Sequence, residues 1–290
     1  MEAAEQVISR RRALAATAAA LPLAAAGVPP AAALAQEPPG SRGPHGARTV
    51  FVAGDSTAAG KSVPAAPETG WGMALPFFLH ERLEVANHAV NGRSSKSFID
   101  EGRLAPILAA IRPGDLLLVQ FGHNDQKRAD PARFTEPWTS YQEHLLRYVT
   151  GARACGARPV LLTSVERRRF DAAGTAVATH GTYPAAVRAL AAEHGVPLLD
   201  MAALSLARWQ ELGPEPSKEY FHWLAPGESP NYPDGVSDNT HFCPRGAIEV
   251  ARMTVRALRS EQVLGAHATR RLGAHIPETW LTWLTWHEEP

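Results

Sequence analysis

With 290 residues, 45% of them hydrophobic and 20% charged, the chain can bury an ordinary core as one large domain or two small ones. Its 29 basic and 29 acidic side chains cancel, which leaves no overall field to draw nucleic acid or an anionic membrane. The one dense basic run, Arg167-Arg168-Arg169, reads as a solvated loop edge and not as a phosphate site.

In chain order, Ser9-Arg10-Arg11-Arg12 comes first, ahead of an apolar stretch over 13–26 and a small-residue cleavage site at Ala33-Leu34-Ala35. This is the layout of an export signal over 1–35, and the paired arginines resemble a twin-arginine signal. The stretch is too short and too rich in small residues for a stable membrane span. Residues 36–47, full of Pro and Gly, read as a flexible tether, so folding is expected from residue 48 onward and the protein is expected outside the cytoplasm.

The run Thr49-Val50-Phe51-Val52-Ala53 is short, β-branched and continuous, as a buried parallel strand should be. It ends in Gly54-Asp55-Ser56-Thr57 and then small residues, a turn that would lift the Ser56 hydroxyl above a sheet edge. Serine in such a turn commonly caps a helix, and as a nucleophile it needs an adjacent base. A helix is expected over 71–82 and a second strand over 83–90, leaving through Asn91-Gly92-Arg93-Ser94. There the Gly92 N–H could approach a developing oxyanion closely. A helix over 97–111 leads through the turn signal Pro113-Gly114 into the strongest strand, 115–121. That strand runs out into Gly122-His123-Asn124-Asp125, where the Asn124 amide is a further donor.

Helices over 138–154, 183–194 and 201–212 alternate with strands over 158–165 and 196–200. Such βα alternation argues for a parallel, doubly wound sheet covered on both faces. Strand one carries no G-x-G-x-x-G or P-loop after it, which argues against a nucleotide site. Asp238 and His241 fall in a loop after a Gly/Pro-rich stretch over 226–235, before an amphipathic helix over 244–260. Their spacing lets a carboxylate hold an imidazole for Ser56. Asp238 as a helix cap beside a surface histidine is the plainer alternative. Cys155 and Cys243 are read as unpaired thiols. Residues 262–290 form a Trp-rich extension in which Trp280, Trp283, Leu284 and His287 share a helical face, with Trp286 beside them. Packing onto the parent domain is expected, with an exposed aromatic platform as the rival.

Ser56, Gly92, Asn124 and His241 stand in four blocks that resemble those of the SGNH (GDSL-type) hydrolases, and Asp238 matches that family's Asp three before its His. The chain further resembles the rhamnogalacturonan acetylesterase branch, through Thr69-Gly70-Trp71-Gly72, Asn91-Gly92-Arg93-Ser94-Ser95-Lys96-Ser97-Phe98, Gln120-Phe121-Gly122-His123-Asn124-Asp125-Gln126 and Asp238-Asn239-Thr240-His241-Phe242. One departure is Ser164, where relatives tend to carry proline; it is read as outside the proton relay and as affecting only local loop shape.

The resemblance implies an α/β, flavodoxin-like three-layer fold over 48–261, with a five-stranded parallel sheet of order 2-1-3-4-5 and helices on both faces. It implies an exported serine esterase that removes O-acetyl groups from a plant cell-wall polysaccharide, acetylated pectin in particular. Ser56 would be the nucleophile and His241 its base, held by Asp238, with oxyanion donors at Ser56, Gly92 and Asn124. Arg93 and His123, next to the oxyanion donors, would either line the sugar site or serve as structural hydrogen-bonders, and no cofactor or metal is called for. Three alternatives stand beside it: an esterase or lipase for another acyl ester, a metallohydrolase using His123, Asp125, Asp238 and His241, and a carbohydrate-binding protein without catalysis.

Overall fold

The computed structural model describes residues 48–288. The export signal read over 1–35 and the tether over 36–47 lie outside the described residues. Strand β1 (Arg48–Gly54) leads to a short helix α1 (Trp71–Ala74), strand β2 (Leu83–Asn87), helices α2 (Ser95–Asp100) and α3 (Leu104–Ala110), and strand β3 (Leu116–Gln120). Then α4 (Gln142–Ala154), β4 (Arg158–Leu162), α5 (Tyr183–Glu193), β5 (Leu198–Leu199) and α6 (Met201–Leu212) alternate. The hairpin β6 (Phe221–Leu224) and β7 (Val236–Phe242), the long helix α7 (Pro244–Ser260) and the single turn α8 (Glu278–Leu281) follow.

Five strands pair in the order β2-β1-β3-β4-β5, all parallel. Side chains alternate across this sheet with the strand period of two. Val50, Val52, Leu116, Leu118, Val160 and Leu162 face one core, shared with α1, α6 and α7. Phe51, Ala53, Leu117, Val119 and Leu161 face the other, shared with α2, α3, α4 and α5. The result is the flavodoxin-like three-layer fold, and the expected strand order is the observed one.

Several expected elements are shorter, for local reasons. The helix expected over 71–82 stops at Ala74 and becomes a 3-10 turn over Leu75–Phe77, because Pro76 has no N–H to continue the ladder. The helix expected over 97–111 is two helices, broken at Gly102 with φ +73°. Helix α2 starts earlier, at a capping box in which the Ser94 and Ser97 side chains each bond the other's backbone N–H. Strand five keeps only Leu198 and Leu199.

The C-terminal segment is not the single helical face expected, since among its described residues only Glu278–Leu281 is α-helical. Trp280 and Leu284 are buried in the α7-side core, and Trp283 stacks on Trp280 at 5.5 Å while 45% exposed. Cys155 and Cys243 are both free thiols.

Candidate active site

The loops that carry Ser56, Gly92 and Asn124 leave the same sheet edge, beyond the C-terminal ends of β1, β2 and β3. In an open parallel sheet this is where a site forms. After β1 the chain turns at once: the N–H groups of Ala58 and Ala59 both donate to the Asp55 carbonyl, at 3.1 and 3.0 Å. The Asp55 carboxylate is fully buried and braces this turn, accepting from the Thr57 N–H at 2.9 Å and the Thr57 hydroxyl at 2.7 Å. Its other oxygen meets His123 Nδ1 at 3.1 Å, which locks the loop after β1 to the loop after β3. Burial works against this carboxylate, but His123 and Thr57 outweigh it and hold the pKa at about 2.

Ser56 stands half-buried at the crest of the turn, with its Oγ 2.8 Å from His241 Nε2. His241 Nδ1 lies 2.7 Å from Asp238 Oδ2. An ionised carboxylate only accepts, so Nδ1 carries the proton and Nε2 is the acceptor for the serine hydroxyl. Burial opposes the Asp238 charge, yet His241 and the backbone N–H groups of His241 and Thr240 bring its pKa down to about 2.

Asp238 and His241 do not sit in a loop, as the sequence suggests, but on strand β7. In a regular strand, residues three apart face opposite sides. Here the pairing with β6 shifts register between Phe221 and Trp223. Asp238 Oδ1 meanwhile accepts from the N–H groups of Thr240 and His241, at 2.6 and 3.0 Å. That irregularity curls the strand until the two side chains meet.

Three donors lie in the loops at this sheet edge. Among the described residues, neither the Ser56 nor the Gly92 backbone N–H has an acceptor. Gly92 has φ +75°, a conformation glycine adopts without strain. The buried Asn124 amide donates one N–H to the Arg93 carbonyl at 3.0 Å, leaving its second N–H uncommitted. The structure thus joins Ser56, His241 and Asp238 directly, while Lys61 ties the Ser56 turn to Asn91 and Asn124 is tied to Arg93, the two neighbours of Gly92.

Of the two side chains expected beside the sugar site, His123 is the one the structure encloses, while Arg93 stays partly exposed. The Arg93 guanidinium is turned to Glu101, 2.9 Å away, and to the Asn91 carbonyl at 2.8 Å. His123 is 4% exposed, enclosed by Asp55 and by the His180 ring at 4.5 Å. His123 therefore braces the loop after β1 and does not line an open surface. The alternative ligand set is likewise dispersed: His123 goes to Asp55, and Asp125 to Ser95 and Thr135. Among the described residues no group of three or more His, Cys, Asp or Glu side chains is arranged to hold a metal ion.

Within the basic run, Arg168 is half-buried and engaged. It bonds Asn239 Oδ1 at 2.9 Å and Ser217 Oγ at 3.0 Å, and its guanidinium lies 5.2 Å from the Trp223 ring. It therefore buttresses β7 from outside. Ser164 does more than shape a loop: its hydroxyl donates to the Phe121 carbonyl at 2.8 Å, directly beneath Gly122. A sequence reading has no signal for Lys61, whose buried ammonium bonds Ser56 O and Asn91 Oδ1, both at 2.7 Å.

The sequence pattern of the GDSL-like lipase/acylhydrolase family matches residues 52–247. The chain belongs to that family. It is 46% identical to rhamnogalacturonan acetylesterase RhgT of Bacillus subtilis (strain 168) over 209 residues, covering 72% of this chain and 88% of that one. The B. subtilis protein named probable rhamnogalacturonan acetylesterase YesY is 38% identical over 213 residues, with 73% and 93% covered. Among solved structures, that of B. subtilis YxiM superposes with a TM-score of 0.65 at 28% identity, over 75% of this chain and 58% of that one. This chain therefore spans a little over half of YxiM. The likeness to the GDSL-like family runs from inside β1 into α7, so it contains all five residues gathered at the sheet edge.

Proposed function

We propose that this GDSL-family ester hydrolase is a serine acetylesterase acting on acetylated pectin, rhamnogalacturonan in particular. The observation that carries the reading is the continuous contact from Asp238 through His241 to Ser56, 2.7 and 2.8 Å long. The pectin substrate rests on the relatives named for rhamnogalacturonan deacetylation.

Ser56 Oγ attacks the acetyl carbonyl carbon while its proton passes to His241 Nε2. Asp238 stabilises the imidazolium and keeps the ring in place. The carbonyl oxygen becomes an anion, met by the N–H groups of Ser56 and Gly92 and by the second N–H of Asn124. As the tetrahedral adduct collapses, the C–O bond to the sugar breaks and His241 returns the proton to the departing hydroxyl oxygen. Water then attacks acetyl-Ser56, gives its proton to His241, and acetate leaves as Ser56 is reprotonated. An exported enzyme would meet this substrate outside the cell, in keeping with the signal pattern read over 1–35. No helix among the described residues is long and apolar enough to cross a membrane.

Acetate release from a panel of acetylated polysaccharides tests the reading, with Ser56→Ala as the control. Acetylated rhamnogalacturonan should be the best substrate, and a folded Ser56→Ala protein should release none. Equal rates on longer acyl esters would favour a general esterase. Polysaccharide binding without acetate release would make the chain a binding protein.

A further inference from the structure

Lys61 has a side chain 1% exposed, and each of its three ammonium N–H groups has an acceptor. These are Ser56 O at 2.7 Å, Asn91 Oδ1 at 2.7 Å and Glu68 Oε1 at 2.6 Å. The first two belong to the loops that present the proposed oxyanion donors. The Ser56 carbonyl sets the backbone of the residue carrying both Oγ and one free N–H. Asn91 immediately precedes Gly92, which carries the other. One buried cation thus joins two loops from different strands. Burial pushes the Lys61 pKa down, and the Glu68 carboxylate acts against that.

The segment bearing Lys61 and Glu68 is gripped by the C-terminal end of the described chain. The His287 N–H donates to the Lys61 carbonyl at 2.9 Å, and the Val63 N–H donates to the His287 carbonyl at 2.8 Å. Trp286 Nε1–H donates to the Glu68 carbonyl at 2.8 Å. The His287 ring also lies on the other side of Lys61, where a Cβ added to Gly60 would come within 3.2 Å of Nε2. Trp280 and Leu284, buried in the α7-side core, anchor the segment that delivers these contacts. All of them lie beyond residue 247, where the family pattern ends.

We propose that Lys61 is a positioning residue that holds the Ser56 and Gly92 oxyanion donors in register, and that Trp286 and His287 form a strap keeping Lys61 and Glu68 in place. The proposal rests on the reading of Ser56 as nucleophile. Its physical basis is the steep dependence of such stabilisation on geometry: a misplacement of about 1 Å can cost on the order of 100-fold in rate. Because the donors act on the transition state and not on bound substrate, loosening them should lower kcat and spare KM.

The test compares three variants of the full chain in an acetylester assay, each with its fold checked by circular dichroism and thermal melting. Lys61→Met should lose roughly 10- to 100-fold in kcat with little change in KM. Trp286→Phe/His287→Pro removes the indole donor and the backbone donor to Lys61 while leaving the buried charge pair and the core anchors intact. It should lose about 3- to 10-fold in kcat, again with KM held, and the acidic limb of kcat/KM should stay put. This variant reads the same link should Lys61→Met fail to fold. A folded Lys61→Met protein with wild-type kcat overturns the positioning role, and a strap variant with wild-type kcat overturns the strap. A loss confined to KM, or one matching the unfolded fraction, overturns both. Ser56→Ala separates the levels: if it stays active, the nucleophile reading fails and takes this inference with it. If it is inactive while the other variants keep wild-type kcat, only this inference fails.

Discussion

The Asn124 amide nitrogen donates to the Arg93 carbonyl oxygen at 3.0 Å, fastening the loop after β3 to the loop after β2. That bond uses one N–H and leaves the other without an acceptor among the described residues, as the Gly92 and Ser56 backbone N–H groups are. Asn124→Ala should lower kcat by roughly 10²–10³, the scale for losing one oxyanion donor. KM should change far less. Steady-state kinetics on a chromogenic acetate decide it; a pure KM effect would make Asn124 a substrate-binding group.

Asp238→Asn should lower kcat by on the order of 10⁴. An amide N–H facing Nδ1 would drive the proton to Nε2, where it blocks acceptance from Ser56. In the wild type, His241 must be neutral to take that proton, so kcat/KM should fall on the acid side with a single ionisation. The midpoint of that limb should coincide with the His241 ring titration seen by NMR. Near-normal activity in Asp238→Asn, or an acid limb that ignores the His241 titration, would remove the relay.

Asp125 should make stability fall as pH rises. Burial, opposed by Ser95 and Thr135 and reinforced by the Asp55 charge, pushes its pKa up to about 7 from the usual 3.8. Between those values the unfolded chain has released this proton and the folded chain still holds it. The unfolded state thus binds fewer protons, and the Asp125 contribution to stability declines from about pH 4 to about pH 7, then levels off. Asp125→Asn removes the titration, so the melting temperature of the variant should gain on that of the wild type across this window. A difference constant with pH would falsify the assignment.

Asp238 has the opposite sign. Its carboxyl, held at about 2, contributes stability that is complete above its ordinary pKa of 3.8 and is lost as pH falls through about 2. Melting curves of Asp238→Asn should therefore converge on the wild type toward the acid end. A gap that widens in acid would contradict it.

Gly122 has φ +147°, and a Cβ there would come 2.2 Å from Ser164 Oγ. Gly122→Ala should cost about 1–3 kcal/mol of stability through the backbone alone, with the clash adding to it. Since Asn124 follows two residues later, kcat should fall as well. Ser164→Ala in the same chain should recover part of the loss by relieving the clash, and chemical denaturation of both proteins checks this. A stable, fully active Gly122→Ala would mean that this turn tolerates rearrangement.

Sequence alone determined whatever is encoded over a few neighbouring residues. The continuous apolar run of β3 and the one-sided spacing of Pro244–Ser260 need no distant partner to be read, and both elements stand nearly where expected. Ser56, Gly92 and Asn124 stood out in the sequence because each lies in a turn that follows a strand, where the chemistry is local. Only the tertiary structure decided how those pieces meet. Asp238 and His241 converge because β7 pairs irregularly with β6, whose residues lie well upstream. Arg168, read as part of a solvated edge, is half-buried and held by Trp223, Ser217 and Asn239. His123 looked like a lining residue until Asp55 and His180 enclosed it. Lys61 carried no signal at all, because the value of a buried ammonium depends on acceptors at residues 56, 68 and 91 that only folding brings within reach. Hydrophobic period and turn chemistry are local and survive in the linear chain, whereas desolvation and charge pairing are properties of the assembled interior.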